Sequence, residues 1–183
     1  MIIVESKRKK LETLRKLYPE AKFADVTSSS DVIEYRRLSP FFPHNGIPIP
    51  FTEGMTATCV EAIWQGLKVF ETADVDIDMF RNDTMKNIKR TTRKYGPCLG
   101  HQKGLESDEL LSYIDARKLI YLPSYRWVLE NKCADLVKKI RIISKAKTVV
   151  LLDYETNADV LDPKKPLSHA SLIKAFVEGN YPE

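Results

Sequence analysis

The chain has 183 residues, 43% of them hydrophobic and 30% charged, with a net charge of +4. This length favours one domain, the composition excludes a disordered chain, and the small basic excess does not by itself mark a nucleic-acid binder. No run of about 18 apolar residues is present, which excludes a helical membrane span, and the opening Met1 to Ser6 is too short an apolar run for a signal peptide, so a cytoplasmic protein is expected.

Residues 2–5 read as a short strand, and 7–18 as a helix with Leu11, Leu14, Leu17 and Tyr18 on one face. Pro19 stops that helix, 22–26 is a second strand, and Ser28 to Asp31 is a turn. Residues 39–56 are rich in proline and aromatics, with Pro40, Pro43, Pro48 and Pro50 among them, which excludes a helix or a central strand. The segment is an ordered irregular stretch, of a kind that often carries function. Val60, Ile63, Trp64, Leu67 and Phe70 then mark a helix over 58–70. The spacing predicts further helices over 84–95, over 107–121 with Ser107 as its cap, and from Pro123 to about 144. Thr148 to Leu152 is a buried strand, and Ser168 caps a last helix ending near Gly179.

Three groups of residues could carry chemistry. Glu61, Gln65 and Lys68 fall at i, i+4 and i+7 and share one helical edge, which is either a solvated face or the lining of a cleft beside the proline-rich segment. Lys86, Lys89, Arg90, Arg93 and Lys94 form a basic stripe on the helix expected over 84–95, either solvated or facing a polyanion. Asp153, Asn157 and Asp159 follow the strand at 148–152, where carboxylates can face a ligand or simply hold a turn. His101 lies in a glycine-punctuated segment as a candidate ligand contact, and Tyr121 and Tyr125 flank Pro123 where a cleft could use them. Trp64 falls in the apolar stripe and is expected in the core. Cys59, Cys98 and Cys133 are widely spaced, as are the three histidines, so neither a disulfide, a bound metal nor a cofactor is expected.

Leu38-Ser39-Pro40-Phe41-Phe42-Pro43, followed by Thr58-Cys-Val-Glu61-Ala-Ile-Trp-Gln65-Gly-Leu-Lys68, resembles the NADAR (YbiA-like) superfamily. That superfamily has a Leu-Ser-Asn-Phe-Tyr-Pro-type segment and then a helix of the pattern Thr/Ser-x-Glu-His-x-x-Gln-Ala-x-Lys. Pro40 and Ala62 depart from it, and outside 38–68 the likeness is loose, touching Arg90 to Gly96 and Leu151 to Asp159. The resemblance implies an α+β fold, mostly helical with a few short strands, formed as one domain over 1–183. In it, 1–30 would be a strand–helix–strand extension, 35–160 the core and 166–183 a terminal helix. It also implies an N-glycosidase acting on a phosphorylated ribosyl or ADP-ribosyl substrate, of the ADP-ribosylated guanine or ribosylamino-pyrimidine phosphate type. On this reading Glu61, Asp153 and Asp159 would be catalytic. Ser39, Phe41, Phe42, Gln65, Lys68, Arg90, Arg93, His101, Tyr125 and Asn157 would hold the substrate. The rival readings are a nucleotide-binding module that does not cleave, and a nucleic-acid-binding protein using the basic stripe. The partner expected first is a small nucleotide-type ligand; no membrane is expected, and the sequence does not set an oligomeric state.

Overall fold

The computed structural model describes residues 1–183 and is a mixture of helices and short strands. Its contacts divide the chain into two compact units, one of Met1–Ser39 with Leu129–Pro182 and one spanning Pro40–Val128. No helix is long and apolar enough to cross a membrane.

In the first unit, β1 (Ile2–Ser6), α1 (Leu11–Leu17) and β2 (Lys22–Asp25) follow one another as the sequence predicts. The helix begins later than residue 7 because the backbone there is bound elsewhere: Lys7 donates its N–H to the Asp153 carbonyl and Lys9 to that of Ser6. Leu14 and Tyr18 of the expected stripe face the core, whereas Leu11 and Leu17 are exposed. After the short α2 (Ile33–Arg36) the chain leaves this unit and returns in mid-helix to supply α7 (Ala134–Ala146), β8 (Val149–Asp153) and α8 (His169–Glu178).

Every residue of β8 is buried, because it runs between β1 and β2, parallel to both. A parallel strand covered on both faces reads as a continuous apolar run, and Val149 to Leu152 is one. Leu14, Val150 and Leu152 form the core here, with Ile3, Tyr18, Ala21 and Phe23 packed on it. The opening strand–helix–strand is therefore integral to a sheet with β8. It is not an extension beside a core that would own residues 149–153.

The second unit departs more from expectation. The proline-rich segment is irregular apart from a two-residue pairing of β3 (Ile47–Pro48) with β4 (Thr56–Ala57). The helix expected over 58–70 is α3 (Val60–Gly66), after which the chain turns into β5 (Lys68–Phe70). Gly66 allows this close turn, since a Cβ there would meet Phe80 Cε1 at 2.4 Å. A 3-10 turn (Ile77–Arg81) follows.

The helix expected over 84–95 shrinks to α4 (Thr92–Tyr95). The Asn82 side chain accepts from the Thr84 N–H and donates to the Lys86 carbonyl, an alternative to helical pairing. Met85 and Asn87 sit at φ 59° and 56°. From Ile88 to Arg90 burial alternates, with Lys89 outward, so the hydrophobic spacing there marks an irregular strap and not a helix.

β6 (Cys98–Gln102) pairs antiparallel with β5 and with β7 (Leu110–Leu111). The latter takes residues expected in a helix, so the cap is Ser112 and not Ser107. From α5 (Tyr113–Ala116) the helix continues through a π turn (Arg117–Tyr121) into α6 (Leu122–Asn131). Pro123 withdraws an N–H that a helix interior would use. It is tolerated directly after the π turn, where the Leu122 N–H already reaches back to the Arg117 carbonyl.

Candidate functional site

The site assembles in the second unit from α3 outward. Glu61 and Gln65 lie one helical turn apart and are 8% and 5% exposed, so this edge is not a solvated face. Gln65 Nε2 donates to Glu61 Oε1 at 2.7 Å. Gln65 Oε1 accepts from Lys68 Nζ and from the Arg90 backbone N–H, both at 3.0 Å. Lys68 belongs to β5 and not to the helix, yet its side chain returns to α3. A buried carboxylate, a buried amide and a half-buried ammonium thus form one hydrogen-bonded row. Burial pulls the Lys68 pKa below its usual value against the opposing charge of Glu61.

His101 stands opposite Lys68 on the neighbouring strand, so the two side chains share a face of the sheet. Its ring lies 3.9 Å from that of Trp64, which also meets Tyr113 and Tyr121 edge-on at 5.7 and 5.6 Å. His101 is 1% exposed and neither ring nitrogen has a hydrogen-bond partner. Burial, with the Lys68 charge adding to it, pushes its pKa down to about 3. The imidazole is therefore neutral under physiological conditions.

Arg90 is a correction to the expected phosphate contact. Its guanidinium is buried, with Phe70 and Tyr95 at 5.0 and 5.2 Å. It donates to the carbonyls of Gln65, Lys68 and Asp74 at 3.2, 2.7 and 2.6 Å. Arg90 ties the strap to α3 and β5 and presents no open fork to an anion. An open concavity of about 640 Å³ beside it is lined by Asp74, Asp76 and Asp78 as well as Tyr95, which disfavours phosphate there. Arg93 is exposed, and with α4 reduced to one turn the basic residues from 86 to 94 share no helical face.

Phe41 is half-buried against the cluster of Cys59, Ala62 and Ile88, and Phe42 contacts the His44 ring. Position 62 is therefore apolar core in this chain. Tyr125 is fully buried, its ring 6.2 Å from that of Tyr121. Ser39, also buried, closes the first stretch of the first unit.

Asp153, Asn157 and Asp159 belong to the first unit and are occupied structurally. Asp153 Oδ2 accepts from Ser168 Oγ at 2.8 Å, from the Ala170 N–H at 3.3 Å and from His169 Nδ1 at 3.0 Å. His169 Nε2 donates to the Val26 carbonyl at 2.9 Å. Both ring nitrogens face acceptors, so the buried imidazole is held as a cation. Asn157 Oδ1 accepts from the Asp159 N–H, and Asp159 Oδ1 accepts from that of Leu161, as turn residues do.

Arg117 and Tyr113 emerge only from the structure. Arg117 is 2% exposed, stacks 4.4 Å over the Tyr113 ring and donates to its hydroxyl at 2.9 Å. Their i, i+4 spacing was the available signal; the π turn that carries Arg117 and Tyr121 leaves none. No three His, Cys, Asp or Glu side chains converge as a set of metal ligands.

No curated protein matches the chain. Residues 6–173 match a family model described as a family of unknown function (DUF6939), and the chain belongs to that family.

Proposed function

We propose that the chain is an N-glycosidase of YbiA-like architecture, acting on a phosphorylated ribosyl or ADP-ribosyl substrate with Glu61 as the carboxylate at the reacting carbon. The observation that carries this reading is the hydrogen-bonded row of buried Glu61 and Gln65 with half-buried Lys68. Glycosidic cleavage builds positive charge on the sugar, and a carboxylate out of water stabilises it far better than one in water. Glu61 can also accept the proton of an attacking water. Lys68 supplies a cation for sugar or phosphate oxygens, while Gln65 fixes both neighbours. The aromatic group around Trp64 suits a heterocyclic base.

The test is mass spectrometry of products after incubation with ADP-ribosylated guanine and with a ribosylamino-pyrimidine phosphate. Release of the base by the parent chain is expected. Glu61→Gln should lower it about 100-fold, the scale of one acid–base group, with ligand affinity retained. An undiminished rate in Glu61→Gln refutes the assignment. A second reading, a module that binds such a nucleotide without cleaving it, draws on the apolar surroundings of Ala62, where the resembled family carries histidine. Binding with no released base would favour it.

A further inference from the structure

His101 is the one side chain of the site whose polar atoms are buried without a partner at either end. Buried nitrogens are hydrogen-bonded in nearly all folded proteins, and an exception calls for a cause. Packing alone would be met better by leucine or phenylalanine, which carry no polar atom. The ring nonetheless occupies the middle of the second unit's chemistry, in contact with Trp64 and across from Lys68, whose amine leads through Gln65 to Glu61.

We propose that His101 is the group that meets the leaving base, donating a hydrogen bond from a ring N–H to a heteroaromatic nitrogen or carbonyl oxygen of a neutral base stacked beside Trp64. This rests on the glycosidase reading and adds the substrate class to it. When the bond between the anomeric carbon and the base nitrogen breaks, its electron pair stays with the base. Water oxygen forms the new bond to carbon and passes a proton to Glu61, and the base regains a proton from solvent. His101 keeps its own proton throughout. An imidazole that titrates at about 3 is a hydrogen-bond donor at neutral pH and not a source of protons. A base that leaves with a full negative charge needs such a donor, whereas a leaving group that is stable on departure does not. Because both ring nitrogens are closed off from solvent, entry of the base displaces a covering side chain.

The experiment compares two leaving groups in the full-length protein and in His101→Leu and His101→Gln. One probe is ADP-ribosylated guanine; the other is 4-nitrophenyl β-D-ribofuranoside 5-phosphate, whose phenolate leaves unaided. In His101→Leu, base release should fall about 100-fold, the scale of one hydrogen-bond donor to developing negative charge, nitrophenolate release should stay within about 3-fold, and the melting temperature should hold or rise, since unpaired polar atoms have been removed. His101→Gln, which keeps a donor, should recover part of the base release. Equal losses on both probes, or no loss on either, overturn the proposal while leaving the glycosidase reading standing. If the parent cleaves neither probe nor the ribosylamino-pyrimidine phosphate, that reading fails, and ¹⁵N spectra of the imidazole with added guanine decide the remainder. A ring-nitrogen shift that saturates with guanine sustains His101 as the base contact, and an unmoved spectrum removes it.

Discussion

Replacing Asp153 by alanine tests whether this carboxylate serves structure or chemistry. The side chain is 4% exposed and is met by Ser168, His169 and the Ala170 N–H on one oxygen and by the Tyr154 N–H at 2.7 Å on the other. Alanine would strand the His169 cation between the Val26 carbonyl and a void. Removing one partner of a buried, hydrogen-bonded ion pair costs about 3–5 kcal/mol. For a chain of this size that lowers the melting temperature by roughly 6–20 °C, readable by far-UV circular dichroism.

The pH dependence follows from the pair. Burial alone would raise the Asp153 pKa, but the His169 charge and the hydrogen bonds outweigh it and hold the pKa below the ordinary 3.8. Burial alone would lower that of His169, but Asp153 and the Val26 carbonyl outweigh it and hold it above 6.5. The aspartate contribution is present above 3.8 and lost as pH falls through its lowered native value. The histidine contribution is present below 6.5 and lost as pH rises through its raised native value. The gap in stability between parent and Asp153→Ala should therefore be widest between those two values and narrow on either side. A gap below about 1 kcal/mol, or one that widens above neutrality, would refute the structural assignment.

Two further outcomes are expected. Gly66→Ala should cost about 1–3 kcal/mol by overpacking, read from the urea midpoint, because the new methyl falls 2.4 Å from Phe80 Cε1 and 3.0 Å from the Asp76 carbonyl oxygen. Of the three thiols, only exposed Cys98 should react promptly with Ellman's reagent in the native protein. Cys59 and Cys133 are buried, with pKa values pushed up to about 11 and about 12, and should be released only on unfolding; a second fast thiol would contradict this.

The first unit was largely legible in the sequence, because its elements are punctuated by residues with one meaning. Pro19 ends α1, Ser168 caps α8 through the Ser171 N–H, and Gly179 takes the left-handed conformation that ends the last helix. The partnership of β8 with β1 and β2 was not legible, since strand pairing across more than a hundred residues leaves no local pattern. The second unit misled through spacing. Ile88 and Arg90 are buried by alternation on a strap, and periodicity over so short a window does not separate that from a helix. The candidate carboxylates divided by context: Glu61 and Asp153 are both buried, but only the surroundings reveal that Asp153 is held by four donors.

The Glu61–Gln65 contact has its own test in Gln65→Glu. Gln65 uses its amide nitrogen on Glu61 and its oxygen on both Lys68 and the Arg90 N–H, so it joins helix, strand and strap at one point. Glutamate keeps the acceptor for Lys68 and Arg90 but turns the donor facing Glu61, at 2.7 Å, into a second carboxylate oxygen. Two buried carboxylates in contact cannot both ionise readily, so the pair must hold a proton to remain close. Its native pKa then exceeds the unfolded carboxylate value of about 4.3, which makes the penalty small below that pH and progressively larger above it. Gln65→Glu should be near the parent in stability at acid pH and about 3–4 kcal/mol less stable at neutrality, the worth of roughly two to three pKa units. Gln65→Met is the control: it also loses the bond donated to Glu61, together with the two accepted from Lys68 and Arg90, but adds no charge, and its deficit should not vary with pH in this way. If the two variants lose stability in parallel across the pH range, Glu61 and Gln65 are not in contact, and the hydrogen-bonded row on which the glycosidase reading rests is not formed.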